Sequence, residues 1–377
     1  MRKIIISCVC ALFIVNVVSA QMTVSGLLDS TVAFNAGAGD SSVFSFGIEE
    51  YANLRFQSRL RDRGVVYGAV NLIAASGDYA LALAGMGTPI MDNFAAAIEL
   101  ERLYFRLRGE QADFDGGLFR LPFGYGQVWG PSDFLNPRNP LKPDARLRGI
   151  LGAAFSWYPI DELKLLGFFA SPRDVLSNEG KGSLAGLSMD RHWDKASIQA
   201  LYSFETPDYG SDFGIHRIGL SVKADIEIGL YIDTLYSYNH EKMSDNDGNY
   251  DFLLDGLSFS AGADYSIFNG NLIILAEYLF NGKLSATVFD PEKNIFGSFY
   301  QHNVYTGLTF RFNDFTNLSA AAILSFDEFS ITPVLTFNHD LFQGAALTVT
   351  LQLPNVQDSA DTKTVLINCS ARLRLRF

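Results

Sequence analysis

The last seven residues, Ala371 to Phe377, read ARLRLRF, with arginine at every second position. A β-strand points successive side chains to opposite faces, so the three arginines share one face. The other face is apolar and continues back along the segment through Val365, Ile367, Cys369, Ala371, Leu373, Leu375 and Phe377. An arginine facing the middle of a bilayer would cost on the order of 2–4 kcal/mol, which disfavours any slip in register. The segment therefore predicts a strand with lipid on one face and water on the other.

The first twenty residues have the layout of a secretory signal peptide. Arg2 and Lys3 precede an apolar stretch from Ile4 to Val18, and Ser19 and Ala20 provide a small-residue cleavage site. The apolar stretch is shorter than the roughly 20 residues that a membrane-spanning helix needs. We therefore predict a signal peptide over residues 1–20 and a single domain over residues 21–377.

Composition argues against several classes of protein. Cys8 and Cys10 fall in the signal segment, so Cys369 remains alone and neither a disulfide nor a cysteine metal site is expected. Without Arg2 and Lys3, 27 basic residues face 41 acidic ones, a net charge of 27 − 41 = −14, which argues against a nucleic-acid partner. The five histidines have no metal-ligand spacing, and no cofactor is expected.

Hydrophobic periodicity indicates strands throughout the mature chain. From Glu49 to Arg61 polar residues occupy the odd positions, while Ala52, Leu54 and Phe56 occupy the even ones. The Asp62-Arg63-Gly64 turn then leads into a second alternating segment, which makes a hairpin. This unit of about ten residues and a turn recurs to the C-terminus and yields about 18 strands.

The lengths of the connections and the positions of the aromatic residues distinguish a membrane barrel from a soluble β-protein. Short turns alternate with longer, acidic connections such as 205–213 and 241–252, and aromatic residues cluster near strand ends, as at Phe44 and Phe46. Both features are typical of a membrane barrel, whereas a soluble solenoid or sandwich would carry charge on its outer face. We predict an all-β fold, a transmembrane antiparallel β-barrel of about 16–18 strands. It would lie in the bacterial outer membrane, with extracellular loops and both termini in the periplasm.

Two motifs resemble those of known outer-membrane proteins. GLFRLPFG, Gly117 to Gly124, resembles the Gly-x-Phe-x-x-Pro-Phe-Gly stretch of the superfamily of bacterial outer-membrane porins that includes phosphate-selective and related porins. Arg120 stands where those proteins often carry a basic residue, and the following GYGQVWGPSDFLNPRNPLKP is similar to their Trp-Gly and Asn-Pro region. The terminal Phe377 resembles the signal by which the barrel assembly machinery recognises its substrates. The resemblance implies a porin and specifies no solute.

The segment from Pro122 to Pro143 cannot be a regular strand, because its prolines lack the N–H that ladder pairing needs. Two interpretations stay open at this point. The segment is either a structured external loop or a loop that folds into the lumen and narrows the pore. In the second case the candidates for the constriction are Trp129, Asp133, Arg138 and Lys142.

Arginines recur on the polar faces of the second, fourth, fifth and last predicted strands. Since closure places the last strand beside the first, these arginines would form a basic ladder along one side of the pore. One alternative is that they pair with Glu49, Glu50, Glu99 and other lumen acids and only rigidify the wall. The predicted pore-lining residues are Arg55, Arg59, Arg61, Arg102, Arg106, Arg108, Arg120, Arg372, Arg374 and Arg376.

These patterns predict a porin for passive diffusion of small hydrophilic solutes, with a weak preference for anions. Its partners would be the lipid bilayer, the assembly machinery and the solutes. Two rivals are a surface-exposed adhesin or structural barrel, and a channel for hydrophobic substrates. The second rival would need an apolar lumen and an N-terminal plug, for which the first predicted strand leaves no room. The sequence lacks a Gly-x-Ser-x-Gly elbow and brings no Ser and His together, so we expect no enzymatic activity.

Overall fold

The computed structural model describes residues 22–38, 43–60, 63–85, 88, 90–91, 93–136, 138, 140, 149–171, 182–207, 214–239, 253–282, 301–327, 329–353, 355–357 and 363–377. The predicted signal peptide lies outside these residues.

Antiparallel strands account for most of the described chain, and they have the following bounds. They are β1 (Met22–Ala38), β2 (Val43–Leu60), β3 (Gly64–Gly77), β4 (Ile90–Met91), β5 (Phe94–Arg108), β6 (Ala112–Phe119), β7 (Ile150–Ile160), β8 (Leu163–Ala170), β9 (Leu184–His192), β10 (Ala196–Glu205), β11 (Ile215–Asp225), β12 (Gly229–Asn239), β13 (Leu257–Ile267), β14 (Leu272–Asn281), β15 (Gln301–Asn313), β16 (Thr316–Ser325), β17 (Ser330–Phe342), β18 (Ala345–Gln352), β19 (Asn355–Gln357) and β20 (Lys363–Arg376). The helix α1 (Asp78–Gly85) follows β3.

The sheet closes on itself. Apart from the short strands β4 and β19, each strand pairs with its neighbours in the chain, and β1 also pairs with β20. Twenty strands less these two leave a barrel of 18, which confirms the predicted transmembrane antiparallel β-barrel. Among the residues described, no helix is long and apolar enough to cross a membrane.

The two rims of the barrel differ in their connections. The rim that carries the ends of β1 and β20, here called the terminal rim, has connections of only two to four residues, such as Asp161–Glu162. The opposite rim, here called the loop rim, carries the longer connections, including residues 120–149. This asymmetry is typical of outer-membrane barrels, whose short turns face the periplasm.

Side chains alternate between an apolar outer face and a more polar inner face. On β12, Leu230 and Ile232 are exposed on the outside, whereas Tyr231, Asp233 and Leu235 are buried on the inside. On β20 the apolar face predicted from the sequence points outward, with Ile367, Leu373 and Phe377 exposed, while Arg374 points inward to Asp29. The outer face therefore has the composition that lipid contact requires.

Within the described residues, two connections of the loop rim enter the barrel. The helix α1 packs Ala80 and Leu83 against the inner residues Tyr51, Ile73 and Ala95. Asp78 at its start accepts a hydrogen bond from Asn35 Nδ2 (2.6 Å), which anchors it to β1. The second connection runs from Leu121 to Asn136 and is here called the inner loop. The packed core of the protein lies where these connections meet the inner wall, instead of at the centre of a closed domain.

Candidate functional site: the lumen

The inner loop crosses the lumen from one wall to another. Near its start, Phe123 packs against Phe168 of β8, with 5.2 Å between ring centroids. Near its middle, Trp129 is 5% exposed and packs with Leu279 of β14 and Tyr305 of β15. These contacts select the lumen-folded interpretation of the segment over the external loop.

Glu277 on the inner face of β14 binds the backbone of the inner loop. Its carboxylate accepts hydrogen bonds from the N–H groups of Gln127 (3.1 Å), Val128 (2.8 Å) and Trp129 (3.0 Å). The hydroxyl of Tyr231 donates to the same carboxylate at 2.7 Å. Hydrogen bonds to a charged acceptor are stronger than neutral ones, so Glu277 is a principal anchor of the loop.

Asp233 on β12 forms a second anchor and is fully buried. It accepts a hydrogen bond from the hydroxyl of Ser221 (2.6 Å) and lies 3.4 Å from the backbone nitrogen of Ser132. Its carboxylate also occupies the position that a Cβ atom on Gly124 would take. Gly124 has φ +78°, a conformation that glycine adopts most readily. The closing glycine of GLFRLPFG is therefore explained by the approach of a wall carboxylate.

A third anchor joins β9 and β10 to the loop. Gln199 Nε2 donates to both oxygens of Asp190 (2.9 and 2.8 Å), and Gln199 Oε1 accepts from the N–H of Gly124 at 2.6 Å. The hydroxyl of Tyr125 donates to Asp190 at 3.2 Å. Three wall carboxylates thus point into the lumen and are engaged by one loop.

Two of the predicted constriction residues, Trp129 and Asp133, lie in the inner loop, and the other two follow it in the chain. Trp129 and Asp133 are buried against the wall, so their side chains hold the loop in place. Asp133 accepts from the N–H of Phe123 and from Asn136 Nδ2, both at 3.3 Å, and burial raises its pKa to about 6. Arg138 is exposed and donates to the carbonyl of Gly126 at 2.7 Å. Lys142 lies outside the described residues.

The described members of the predicted arginine ladder lie on the inner face of β2, β5 and β20 and just after β6. Several of them are paired with acids. Arg374 donates to both oxygens of Asp29 at 2.7 Å. Arg106 forms a similar two-bond pair with Asp115 of the next strand, at 2.5 and 2.9 Å. Such bidentate pairs hold the guanidinium groups against the wall.

A bulge in β5 brings a third acid into this wall. The register between β3 and β5 shifts at Ala69 and Val70, which places Glu101 on the inner side beside Arg102. Glu101 Oε1 accepts from Arg102 (3.0 Å) and Arg120 (2.9 Å), and Oε2 accepts from Asn53 (2.7 Å). Arg120, the basic residue of the porin-like motif, is thus part of an ionic cluster on the inner wall.

Three predicted ladder residues have exposed side chains and no ion pair within the described part of the chain. They are Arg59, Arg108 and Arg376, and each lies at the terminal-rim end of its strand. Arg55 contacts Asn53 at 2.5 Å, and Arg372 lies opposite Thr348 of β18. Arg61 lies outside the described residues.

Of the acids named in the alternative interpretation of the ladder, Glu50 does not pair with its described members. Glu50 lies on the outer face of β2, where it accepts a hydrogen bond from Ser30. Three other acids pair with arginines of the ladder: Asp29, Glu101 and Asp115. Three further acids anchor the inner loop: Asp190, Asp233 and Glu277. Sequence reasoning missed these six as site residues, although each is an acid within an alternating strand.

The fold and the polar lumen define the chain as a transmembrane β-barrel of the channel-forming size. Solved structures support this class at the level of the fold. The chain is similar to OccK7 (OpdD) of Pseudomonas aeruginosa, with 12% identity, a TM-score of 0.54 and coverage of 94% of this chain and 99% of that one. OccAB4 of Acinetobacter baumannii gives 12% identity, a TM-score of 0.56 and coverage of 95% and 99%.

The outer membrane protein OpdK of Pseudomonas aeruginosa gives 9% identity, a TM-score of 0.55 and coverage of 94% and 99%. The predicted resemblance to bacterial outer-membrane porins is thus confirmed in the fold. Neither a family model nor a curated protein sequence matches the chain.

Proposed function

We propose that this protein is an outer-membrane porin for passive diffusion of small hydrophilic solutes and has no enzymatic activity. The observation that carries the proposal is a closed barrel of 18 strands with a polar inner face, narrowed by a loop that the wall itself anchors. A barrel of this size leaves an aqueous channel, and an internal loop reduces its width. The terminal rim would face the periplasm, and the loop rim the exterior.

The distribution of charge supports a preference for anions. On one wall Asp190, Asp233 and Glu277 are engaged by the inner loop, which leaves them buried. On the other wall Arg59, Arg108 and Arg376 have exposed side chains and no ion pair among the described residues. Guanidinium groups bind carboxylates and phosphates through paired hydrogen bonds, so they would attract anionic solutes. Acids on distant loops act weakly, because screening limits their reach to about 8 Å at physiological salt.

The test is a planar-bilayer measurement on the refolded protein. We expect discrete single-channel conductance and a reversal potential in a salt gradient that indicates weak anion preference. Replacing Arg59 and Arg108 by Gln should shift the reversal potential towards cations, as should the predicted set of Arg55, Arg59 and Arg106. The matched control is Arg63→Gln in the exposed β2–β3 turn, where Arg63 pairs with Glu110 at 3.4 Å.

The outcomes separate the rivals. A barrel that conducts no ions would favour an adhesin or structural role. Conductance with cation preference in the unmodified protein would reject the anion preference and leave the porin proposal intact. A channel for hydrophobic substrates is not favoured, because the inner face carries the arginine wall and three carboxylate anchors.

A further inference from the structure

Glu50 is an acidic side chain on the lipid-facing side of the barrel. Its partner across the strands is Ser30, and the next side chains on this face are apolar. They are Ala52 along β2, with Leu28 and Leu72 opposite Ala52 on the flanking strands. Leu28 and Leu72 are 39% and 38% exposed, as expected of side chains that meet lipid.

The depth of Glu50 follows from the register of β1. Its partner Ser30 is four residues from Phe34, which packs with Phe46 at 5.1 Å near the loop rim. Ser30 is also four residues from Gly26, which exchanges backbone hydrogen bonds with Phe377 at the terminal rim. Aromatic residues mark the two headgroup levels of a membrane barrel. Ser30 and Glu50 therefore lie midway between them, at the hydrocarbon centre.

Only part of the carboxyl group is satisfied within the barrel. Ser30 Oγ donates to Glu50 Oε1 at 2.6 Å, and Oε2 has no hydrogen-bond partner within the described ranges. An ionisable group facing lipid at this depth is costly, and such groups normally face protein or water and pair with one another. The position of Glu50 thus calls for a protein neighbour.

We propose that the outer face around Ser30 and Glu50 is an interface between two copies of this chain. Between the two aromatic levels, the described outer face carries no lysine or arginine that a second copy could offer. A symmetric contact would instead bring Glu50 against the partner's Glu50, where one protonated carboxyl donates its O–H to the other carboxylate. Two carboxyls in one site share a proton in this way, and a two-fold interface is self-complementary.

The neighbouring side chains permit a close approach of two barrel walls. Ala74 lies opposite Glu50 on β3, and Ala96 lies opposite Ala74 on β5. Small residues let backbones approach each other in membranes, where van der Waals contact and hydrogen bonds drive association. Ala74 and Ala96 therefore extend the proposed interface from Glu50 towards β5, on the side of β2 opposite to Ser30.

Cysteine cross-linking of the full chain in outer membranes tests the proposal. Cys369→Ser is introduced first, because Cys369 also lies on the outer face. Ala74→Cys is then introduced, because Ala74 lies opposite Glu50 on β3 and the Glu50 carboxyl stays in place. It is compared with Ile232→Cys, a lipid-facing position on β12 that is 52% exposed. We expect oxidation to give a disulfide-linked species of twice the chain mass from Ala74→Cys and none above background from Ile232→Cys. Equal cross-linking of both, or cross-linking of Ala74→Cys to a different protein, would overturn the proposal.

Native mass in mild detergent provides a second measurement that does not depend on cysteine chemistry. We expect the unmodified protein and Glu50→Gln to have the mass of two copies, because the amide preserves a hydrogen bond across the interface. Glu50→Leu should have the mass of one copy. A single-copy mass for the unmodified protein, or a two-copy mass for Glu50→Leu, would show that Glu50 does not mediate self-association. The bilayer experiment on the porin proposal is independent of both results.

Discussion

At the scale of single residues, Gly124 is the position where the inner loop tolerates the least change. Gly124→Ala would place a methyl group on the carboxylate of Asp233 and strain a backbone with φ +78°. We expect the loop to leave its position and single-channel conductance to rise. Gly270→Ala is the matched control, since Gly270 has φ +87° but no atom within 4 Å of the added Cβ. Equal conductance changes in both variants would assign the effect to backbone strain alone.

Glu277→Gln tests the main carboxylate anchor. The amide keeps the size of the side chain but loses the charge that attracts three backbone N–H groups and the Tyr231 hydroxyl. Since hydrogen bonds to charged groups contribute roughly 1.5–3 kcal/mol, we expect the loop to open more often. The measurement is the frequency of conductance steps in single-channel records. Asp264→Asn serves as the control, because Asp264 accepts a hydrogen bond from the exposed side chain of Gln127 (2.7 Å) instead of from the loop backbone. A step frequency that is unchanged in Glu277→Gln would contradict the anchor role.

At the scale of elements, the strands could be predicted from periodicity far better than their connections. The alternation of 163–170 and 316–325 predicted β8 and β16 with their observed bounds, because an outer face in lipid enforces a strict period of two. The composition of Asn338-His339-Asp340 also predicts a turn, and this prediction is wrong. These residues lie within β17, where Asn338 instead donates to Asn317 across the strands at 3.0 Å. Polar residues on the inner face of a strand have the same composition as the residues of a turn, because both groups are hydrophilic.

The inner loop should respond to pH through Asp133. Burial raises the pKa of this carboxyl from 3.8 to about 6, so the folded loop binds the proton more tightly than a released loop does. The docked state is then most stable at acidic pH and loses stability as pH rises from about 4 to about 6. We expect conductance steps to become more frequent as the pH rises from about 4 to about 6, and to change little at higher pH. Asp133→Asn should remove this component, and a pH response unchanged in that variant would exclude Asp133 as its source.

The last strand, β20, ends in a contact that explains the position of the terminal aromatic residue. The backbone of Phe377 exchanges hydrogen bonds with Gly26 (2.8 and 3.1 Å), and its ring covers Gly26, where a Cβ would meet Cζ at 2.7 Å. We expect Phe377→Ser to lower the amount of assembled barrel at the cell surface more than the amount exported across the inner membrane. Surface labelling and fractionation measure the two quantities. A surface level equal to that of the unmodified protein would reject Phe377 as an assembly signal.

At the scale of the whole molecule, the sequence predicts the strands of the barrel wall and the direction of their side chains, but not the contacts within the lumen. The inward direction of Arg102, Arg106 and Arg374 follows from alternation alone. The pairing of Arg102 with Glu101 and of Arg374 with Asp29 does not, because it depends on a bulge in β5 and on the closure of β20 against β1. The inner loop is likewise anchored by Glu277, 148 residues beyond Trp129. Contacts over such separations leave no local pattern in a single sequence.

Closure of the barrel also determines how the molecule should unfold. Each barrel strand is paired on both sides, and β1 and β20 share a register from Leu27–Arg376 to Ala38–Val365, so no open edge is available from which strands can peel away. We expect the refolded protein to resist dodecyl sulfate at room temperature and to migrate as a compact species. Heating should convert it to the position of an unfolded chain of 41.6 kDa, less any removed signal peptide. Circular dichroism should show β-structure with very little helix, in keeping with the eight residues of α1.

The matched control is a variant truncated after Ser370, which lacks much of the β1–β20 seam. This variant should migrate as the unfolded chain before heating. A helix-dominated spectrum, or identical migration of the intact protein before and after heating, would be incompatible with a closed barrel.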